Sequence, residues 1–371
     1  MSSKARPGWA RRLGSVHEHC LSQDLSALVV SNPVNVKYLT GFDGSAGLLV
    51  CTPDVVRLVT DGRYDAAVRG LVAAGEMAAV DVERVALRYD LTLTEVLQQM
   101  ALQRVGFEAG HVTVATLESW RRGQSSIDWV ATDGVVERQR VIKDDHEIDV
   151  LRRAGRALAG VARRLREWVR AGRTEHEIAR DIDDGIEQAG FSHVAFPTIV
   201  ASGPNSAHPH ARPSDRRLQQ GDLVVLDFGG VLDGYCVDLT RMAGIGHVGS
   251  EAMLLVRAVQ AAQREAIATV RPGQLGADVD KAARLVLEAA GLGPAFLHGT
   301  GHGLGLEVHE APRVSRSATA SSDTLQPGMV CTIEPGAYVE GLGGVRVEDD
   351  VLVTASGCEV LTEAPRDLLV V

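Results

Sequence analysis

Residues Gly221–Arg241, GDLVVLDFGGVLDGYCVDLTR, admit few conformations: an apolar strand, a turn at Leu232-Asp233-Gly234 and a returning strand, with an acid in each arm. A two-residue hairpin loop sets which residues of the arms face each other. If Leu232-Asp233 is the loop, Asp227 lies opposite Asp238; if Asp233-Gly234 is, the two sit on a diagonal. Both registers put the carboxylates on one face of the ribbon. Glu334 and Glu348 flank VEGLGG in the same manner and oppose each other across a three-residue loop centred on Gly341. Two carboxylates about 4 Å apart repel by roughly 4 kcal/mol at an effective dielectric near 20, and like charges set opposite each other weaken a sheet. A cation bound between the acids removes that conflict.

Nitrogen ligands are available in HGTGHGLGLEVHE, where His298, His302 and His309 stand among Gly299, Gly301, Gly303 and Gly305. Glycine at this density disfavours helix, so His298 and His302 are not expected to share a helical face. Any one of these histidines alone would read as a hydrogen-bonded core or loop residue. Three within twelve residues point to a site. One imidazole with four carboxylates is a hard, anionic set that suits Mn²⁺, Fe²⁺, Co²⁺ or Zn²⁺, and four carboxylates balance two divalent ions. The chain lacks HExxH, GxSxG, GxxxxGK[ST] and a GxGxxG that follows a strand, which argues against zincin, serine-hydrolase and nucleotide-binding readings.

Upstream, ALVVS (27–31), a turn at Asn32-Pro33, AGLLVC (46–51), VVRLVT (55–60) and a helical stretch from Tyr64 read as an α/β domain. From Ile142 to Arg170 the pattern becomes one amphipathic helix, with Ile148, Leu151, Ala154, Leu158, Val161 and Leu165 at helical spacing. The expected domains are therefore 1–140 and 141–371, with the boundary near residues 138–146. Within the second, VRAGRTEHEIARDIDDGIEQAGF (169–191) aligns without gaps on VRPGQLGADVDKAARLVLEAAGL (270–292). Thr174 and Glu177 form a capping box that starts a helix. Each copy precedes a β-rich segment carrying the acids, so the region reads as a duplicated helix-plus-sheet half.

At 371 residues and 45% hydrophobic content, the chain is long enough for two cores. Its net charge of −10, with no basic stripe, excludes nucleic acid as a partner. No apolar run reaches the roughly 18 residues needed to span a membrane, and the start, MSSKARPGWARRLG, lacks the apolar stretch of a signal peptide. Cys20, Cys51, Cys236, Cys331 and Cys358 form no CxxC pair. The expectation is a cytoplasmic protein with reduced thiols.

Taken together, NVKYLTGFDGSAGLL (35–49), TDGRY (60–64), SGPNSAHPHARPSD (202–215), LDFGGVLDGYCVDLTR, HGTGHGLGLEVHE, TIEPGAY (332–338) and GGVRVEDD (343–350) resemble the pita-bread metallopeptidases, in particular their aminopeptidase P and prolidase branch. The resemblance covers nearly the whole chain. It implies an α/β (α+β) protein: a creatinase-type N-terminal domain followed by a pita-bread catalytic domain with an internal pseudo-twofold repeat. It also implies two divalent metal ions, manganese first, with cobalt, zinc or iron as alternatives. Asp227 would chelate one ion, Asp238 and Glu348 would bridge both, and His302 and Glu334 would complete the second. His210, in Pro-His-Ala, resembles the family's substrate-contacting or proton-shuttling histidine, and His309 the one that steadies the scissile carbonyl. His298, Arg346 and Tyr235 would contact substrate or support the ligands. Where relatives read Leu-Pro-His, this chain has His208-Pro209-His210, and the spacing to Asp227 favours His210 as the inward residue.

The implied reaction is metal-assisted hydrolysis of the bond between an N-terminal residue and proline, with Glu334 as proton acceptor. The implied substrate is a peptide or dipeptide with proline second, and the implied assembly a homodimer. A methionine aminopeptidase shares the ligand pattern, but the N-terminal domain resembles the proline branch; creatinase, or a non-catalytic relative on the same fold, should have lost ligands.

Overall fold

The computed structural model describes residues 8–123, 125–320 and 322–371; of the basic N-terminal stretch, residues 1–7 lie outside them. The chain forms two compact units, one ending at Arg140 and the other beginning at Val141. Among the described residues no helix is long and apolar enough to cross a membrane.

The N-terminal unit runs α1 (Trp9–Ser22), β1 (Ala27–Val30), α2 (Pro33–Thr40), β2 (Leu48–Cys51), β3 (Val56–Asp61), α3 (Asp65–Ala74), β4 (Asp81–Val85), α4 (Tyr89–Gln99), β5 (Arg104–Glu108), α5 (Val114–Gly123), β6 (Asp128–Thr132) and α6 (Glu137–Arg140). Its strands form one mixed sheet in the order β4-β3-β2-β1-β5-β6. Val29, Val50, Val105 and Phe107 of the sheet are buried together with Leu93, Val96 and Leu97 of α4 and Trp120 of α5. The Asn32-Pro33 step differs from the expected turn. Asn32 caps α2, its Oδ1 accepting from Val34 N at 3.0 Å, and Pro33 occupies the first turn, where a missing N–H removes no helical bond.

The C-terminal unit continues with α7 (Asp145–Trp168), α8 (Glu175–Gln188), β7 (His193–Val194), β8 (Ile199–Ser202), β9 (Leu223–Leu232), β10 (Tyr235–Gly244), α9 (Ser250–Thr269), α10 (Gly276–Ala289), β11 (Gly301–Gly303), β12 (Glu310–Val314), β13 (Val330–Ile333), β14 (Gly336–Val339), β15 (Gly343–Arg346), β16 (Asp349–Val353), β17 (Cys358–Val360) and β18 (Leu369–Val370). Helix α7 opens on a capping box between Asp144 and Glu147. It buries Val150, Leu151, Ala154, Leu158, Val161 and Leu165 in one core with α8, β9 and β10. A second core joins α9 and α10 to β13, β15 and β16.

The repeat is geometric. Helices α8 and α10 are both 14 residues long and begin at Glu175 and Gly276, the offset of the aligned segments. Just before each, a glycine amide donates at 2.8 Å to a leucine carbonyl, Gly172 to Leu218 and Gly273 to Leu325. Each half supplies a sheet: β18-β10-β9-β7, with β8 also on β9, and β12-β11-β13-β16-β17; β14 and β15 form a separate ribbon.

Hairpin register places the acids. Asp233 and Gly234 both have positive φ, 50° and 88°, the backbone of a two-residue loop whose twist matches that of the strands. Asp227 therefore pairs with Thr240, and Asp238 with Gly229, so the two acids are diagonal neighbours on one face. In the other hairpin Gly336 pairs with Arg346 and Val339 with Gly343, closing the loop around Gly341. Ile333 pairs with Asp349 in the same register, which carries Glu334 and Glu348 opposite each other at the junction of the two ladders.

Candidate metal centre

Asp227, Asp238, His302, Glu334 and Glu348 line one cavity of about 450 Å³, together with His210, His298, His309 and Arg346. One ligand atom from each of Asp238, His302 and Glu348 lies within 4.8 Å of the others. Nε2 of His302 is 3.3 Å from Oε1 of Glu334.

His302 is aimed by β11, a strand as the glycine content requires. A Cβ on Gly301 would come within 2.0 Å of the Thr332 carbonyl, so only glycine lets β11 approach β13 this closely. His302 N donates to Thr332 Oγ1, which donates in turn to Glu334 Oε1, both at 3.1 Å. The ring of His302 places Nδ1 3.0 Å from the Gly303 carbonyl. A proton on Nδ1 leaves the lone pair of Nε2 directed at the acids, the tautomer a metal ligand needs.

The buried acids are only partly satisfied. Arg346 Nη2 donates to Asp227 Oδ2, Thr240 Oγ1 donates to Glu348 Oε2 at 2.6 Å, and Arg346 Nε donates to Thr240 Oγ1 at 3.1 Å. Among the described residues, Oδ1 of Asp227, Oδ1 of Asp238 and Oε1 of Glu348 have no hydrogen-bond partner although buried. Burial raises the pKa of Asp238 and of Glu348 well above the ordinary carboxylate value, and neighbouring acids raise both further. Burial also raises Asp227, against the pull of Arg346. Unpaired oxygens within a cluster of like charge are what divalent cations satisfy, so the donor set fits resident metal ions.

The remaining histidines surround this cluster. His309 lies against His302, ring centroids 4.3 Å apart and planes tilted by 55°, and burial followed by its neighbour His302 lowers its pKa, favouring the neutral ring. His298 is likewise lowered by burial. Its Nε2 lies 3.0 Å from the Tyr338 hydroxyl, which accepts from Arg346 Nη1 at 2.7 Å. Burial pushes the Tyr338 hydroxyl up to about 12, so it stays protonated and donates to His298. His210 and His208 are both exposed, and of the two His210 lines the cavity.

Tyr235 does not belong to this group. It stands three residues from Asp238 on β10, so its side chain leaves the opposite face of the sheet, where its hydroxyl donates to Glu147 of α7 at 3.1 Å. The same alternation points to residues not singled out from sequence: Thr240, two beyond Asp238, and Thr332, two before Glu334, both hydrogen-bonded to ligands. The apolar lip of Phe196, Pro197 and Ile199 carries no local signal and joins the site only through folding.

The model of metallopeptidase family M24 matches residues 149–355, and that of the creatinase/prolidase N-terminal domain residues 12–142. The chain belongs to metallopeptidase family M24. It is therefore a hydrolase that uses divalent metal ions. This M24 chain is 32% identical over 347 residues to a Xaa-Pro dipeptidase of Pyrococcus furiosus, covering 93% of this chain and 95% of that one. Among solved structures, a Xaa-Pro dipeptidase from Bacillus anthracis superposes with a TM-score of 0.92 at 29% identity, over 98% of this chain and all of the other. An X-Pro aminopeptidase from Thermotoga maritima gives 0.86 at 31%, over 94% and 98%.

Proposed function

We propose that this M24 metallopeptidase hydrolyses the bond between an N-terminal residue and proline, with two divalent ions, manganese by preference, held by Asp227, Asp238, His302, Glu334 and Glu348. The observation that carries the assignment is the convergence of four carboxylates and the His302 imidazole, its Nδ1 beside the Gly303 carbonyl, in a cavity with three buried acid oxygens that have no hydrogen-bond partner among the described residues. The similarity to Xaa-Pro dipeptidases and to an X-Pro aminopeptidase supports the substrate.

When bound, the ions supply Lewis acidity and a water acidic enough to ionise near neutral pH. Glu334, 3.3 Å from His302 Nε2, would accept a proton from the attacking water. His309, held neutral by burial, donates a hydrogen bond to the scissile carbonyl oxygen as charge develops on it. His210, at the cavity wall, delivers a proton to the departing prolyl nitrogen. Arg346 holds Asp227, and through Thr240 holds Glu348, keeping both acids turned inward. The proposed compartment is the cytoplasm, in keeping with five free thiols, four of them buried; the proposed assembly is a homodimer.

The test is to assay manganese-loaded protein in parallel on Ala-Pro, Ala-Pro-Ala-Ala and Met-Ala-Ala. Cleavage of either proline substrate with loss of activity in His302→Ala and Asp238→Ala, both with reduced metal content, is the expected result. Cleavage of Met-Ala-Ala alone, or full activity in either variant, overturns the assignment.

A further inference from the structure

One buried ion pair adjoins the site and takes no part in the reaction above. Lys143 Nζ stands 3.5 Å from Glu310 Oε2, with only 1% and 5% of the two side chains exposed. Glu310 follows His309 directly in the chain, while Lys143 lies far earlier, just ahead of α7. Taking an ammonium and a carboxylate out of water is costly, and well-packed apolar side chains at such positions serve stability as well or better. What such a pair can add is one fixed arrangement of the chain around it.

Both partners are anchored. Lys143 N donates to the Gly328 carbonyl at 2.9 Å, Ile142 bridges to Met329 and Asp144 caps α7, so the backbone carrying the ammonium is held against the start of β13. Glu310 opens β12 and pairs with Gly303 of β11. Its other oxygen, Oε1, accepts from Glu307 N at 2.9 Å and closes a turn around Val308 and His309. The carboxylate lies over Gly305, where a Cβ would come within 2.9 Å of it. Gly305 N donates to Glu307 O at 3.0 Å, and Gly305 O accepts from Cys236 N at 2.7 Å, which ties the turn to β10 two residues before Asp238. His309 leaves this turn with its ring centroid 4.3 Å from that of His302.

We propose that Lys143 and Glu310 are positioning residues for His309: the ammonium holds the Glu310 carboxylate in place, and the turn that carboxylate closes keeps the imidazole beside the cluster and aimed at the scissile carbonyl. The inference rests on the role given to His309 above. Without the ammonium, the carboxylate is no longer held over Gly305 and the turn gains other arrangements. A hydrogen-bond donor stabilises developing charge only where it is preorganised, and a misplacement of about 1 Å can cost on the order of a hundredfold in rate. The oxyanion forms only as the carbonyl is attacked, so the loss falls on kcat and leaves KM in place.

Manganese-loaded wild type, Lys143→Met, His309→Gln and Lys143→Met/His309→Gln are assayed on Ala-Pro, with manganese content measured on the same samples. Lys143→Met should lower kcat roughly ten- to a hundredfold, with KM and manganese content at their wild-type values. In the His309→Gln background the same substitution should change kcat by less than about threefold, because the group it positions is already gone. Lys143→Met/Glu310→Gln, which leaves no unpaired charge in the core, takes the place of Lys143→Met in this comparison if the single variant does not fold. Wild-type kcat in the variant compared, or an equal loss with and without His309, overturns the proposal and leaves the Xaa-Pro assignment intact. A fall in manganese content that matches the fall in kcat also overturns it. Failure of wild type to cleave Ala-Pro, or wild-type kcat in His309→Gln, overturns the reading of the site itself, and this inference with it.

Discussion

Replacing Asp238 by asparagine keeps the shape of the side chain and removes one charge from the cluster. In metal-free protein that charge faces Glu348 across no more than 4.8 Å, and Coulomb's law with an effective dielectric near 20 puts the repulsion at about 3 kcal/mol. The pKa of Asp238 is raised on folding, chiefly by burial and then by Glu348. The sign follows from linkage: below the ordinary carboxylate value near 4 the group is protonated in both states and costs nothing. As pH rises toward its higher folded-state value, the unfolded chain ionises first and stability is lost. Asparagine does not titrate, so the variant should gain on wild type as pH rises. Thermal unfolding in EDTA at pH 5 and pH 8 reads this directly. For a domain of this size about 3 kcal/mol corresponds to roughly 6–12 °C, expected at pH 8 and much smaller at pH 5. Saturating manganese should raise the melting temperature of wild type well above that of the variant, reversing the order. An EDTA melting temperature for Asp238→Asn at or below wild type at pH 8, or an equal manganese shift in both proteins, would refute the like-charge account of the cluster.

Gly301→Ala should fold with a displaced β11 and lose most metal binding, because its Cβ meets the Thr332 carbonyl at 2.0 Å; calorimetric titration with manganese checks this. His309→Gln should lower kcat by roughly a hundredfold or more while metal stoichiometry stays at the wild-type value, as steady-state kinetics and elemental analysis on the same samples would establish. Leu158→Ala removes a fully buried side chain from the core between α7 and β10 and should cost about 2–5 kcal/mol, read by urea unfolding with EDTA present.

The amino-acid sequence by itself determined the parity of the site. Side chains alternate along strands with a period of two, so the Asp233-Gly234 turn and the loop around Gly341 were enough to place each pair of acids on one face. The duplicated helices could be aligned for a similar reason, since capping and turn residues act locally. Tyr235 marks the limit of motif reading: the resemblance implied a role near the ligands that its odd spacing from Asp238 on β10 excludes. Only tertiary structure decided that the two ribbons and the His302 strand meet in one cavity, and that Arg346 reaches Asp227 across 119 positions of sequence. Those relations depend on packing separate sheets against one another, and distances across such an interface leave no periodic trace along the chain.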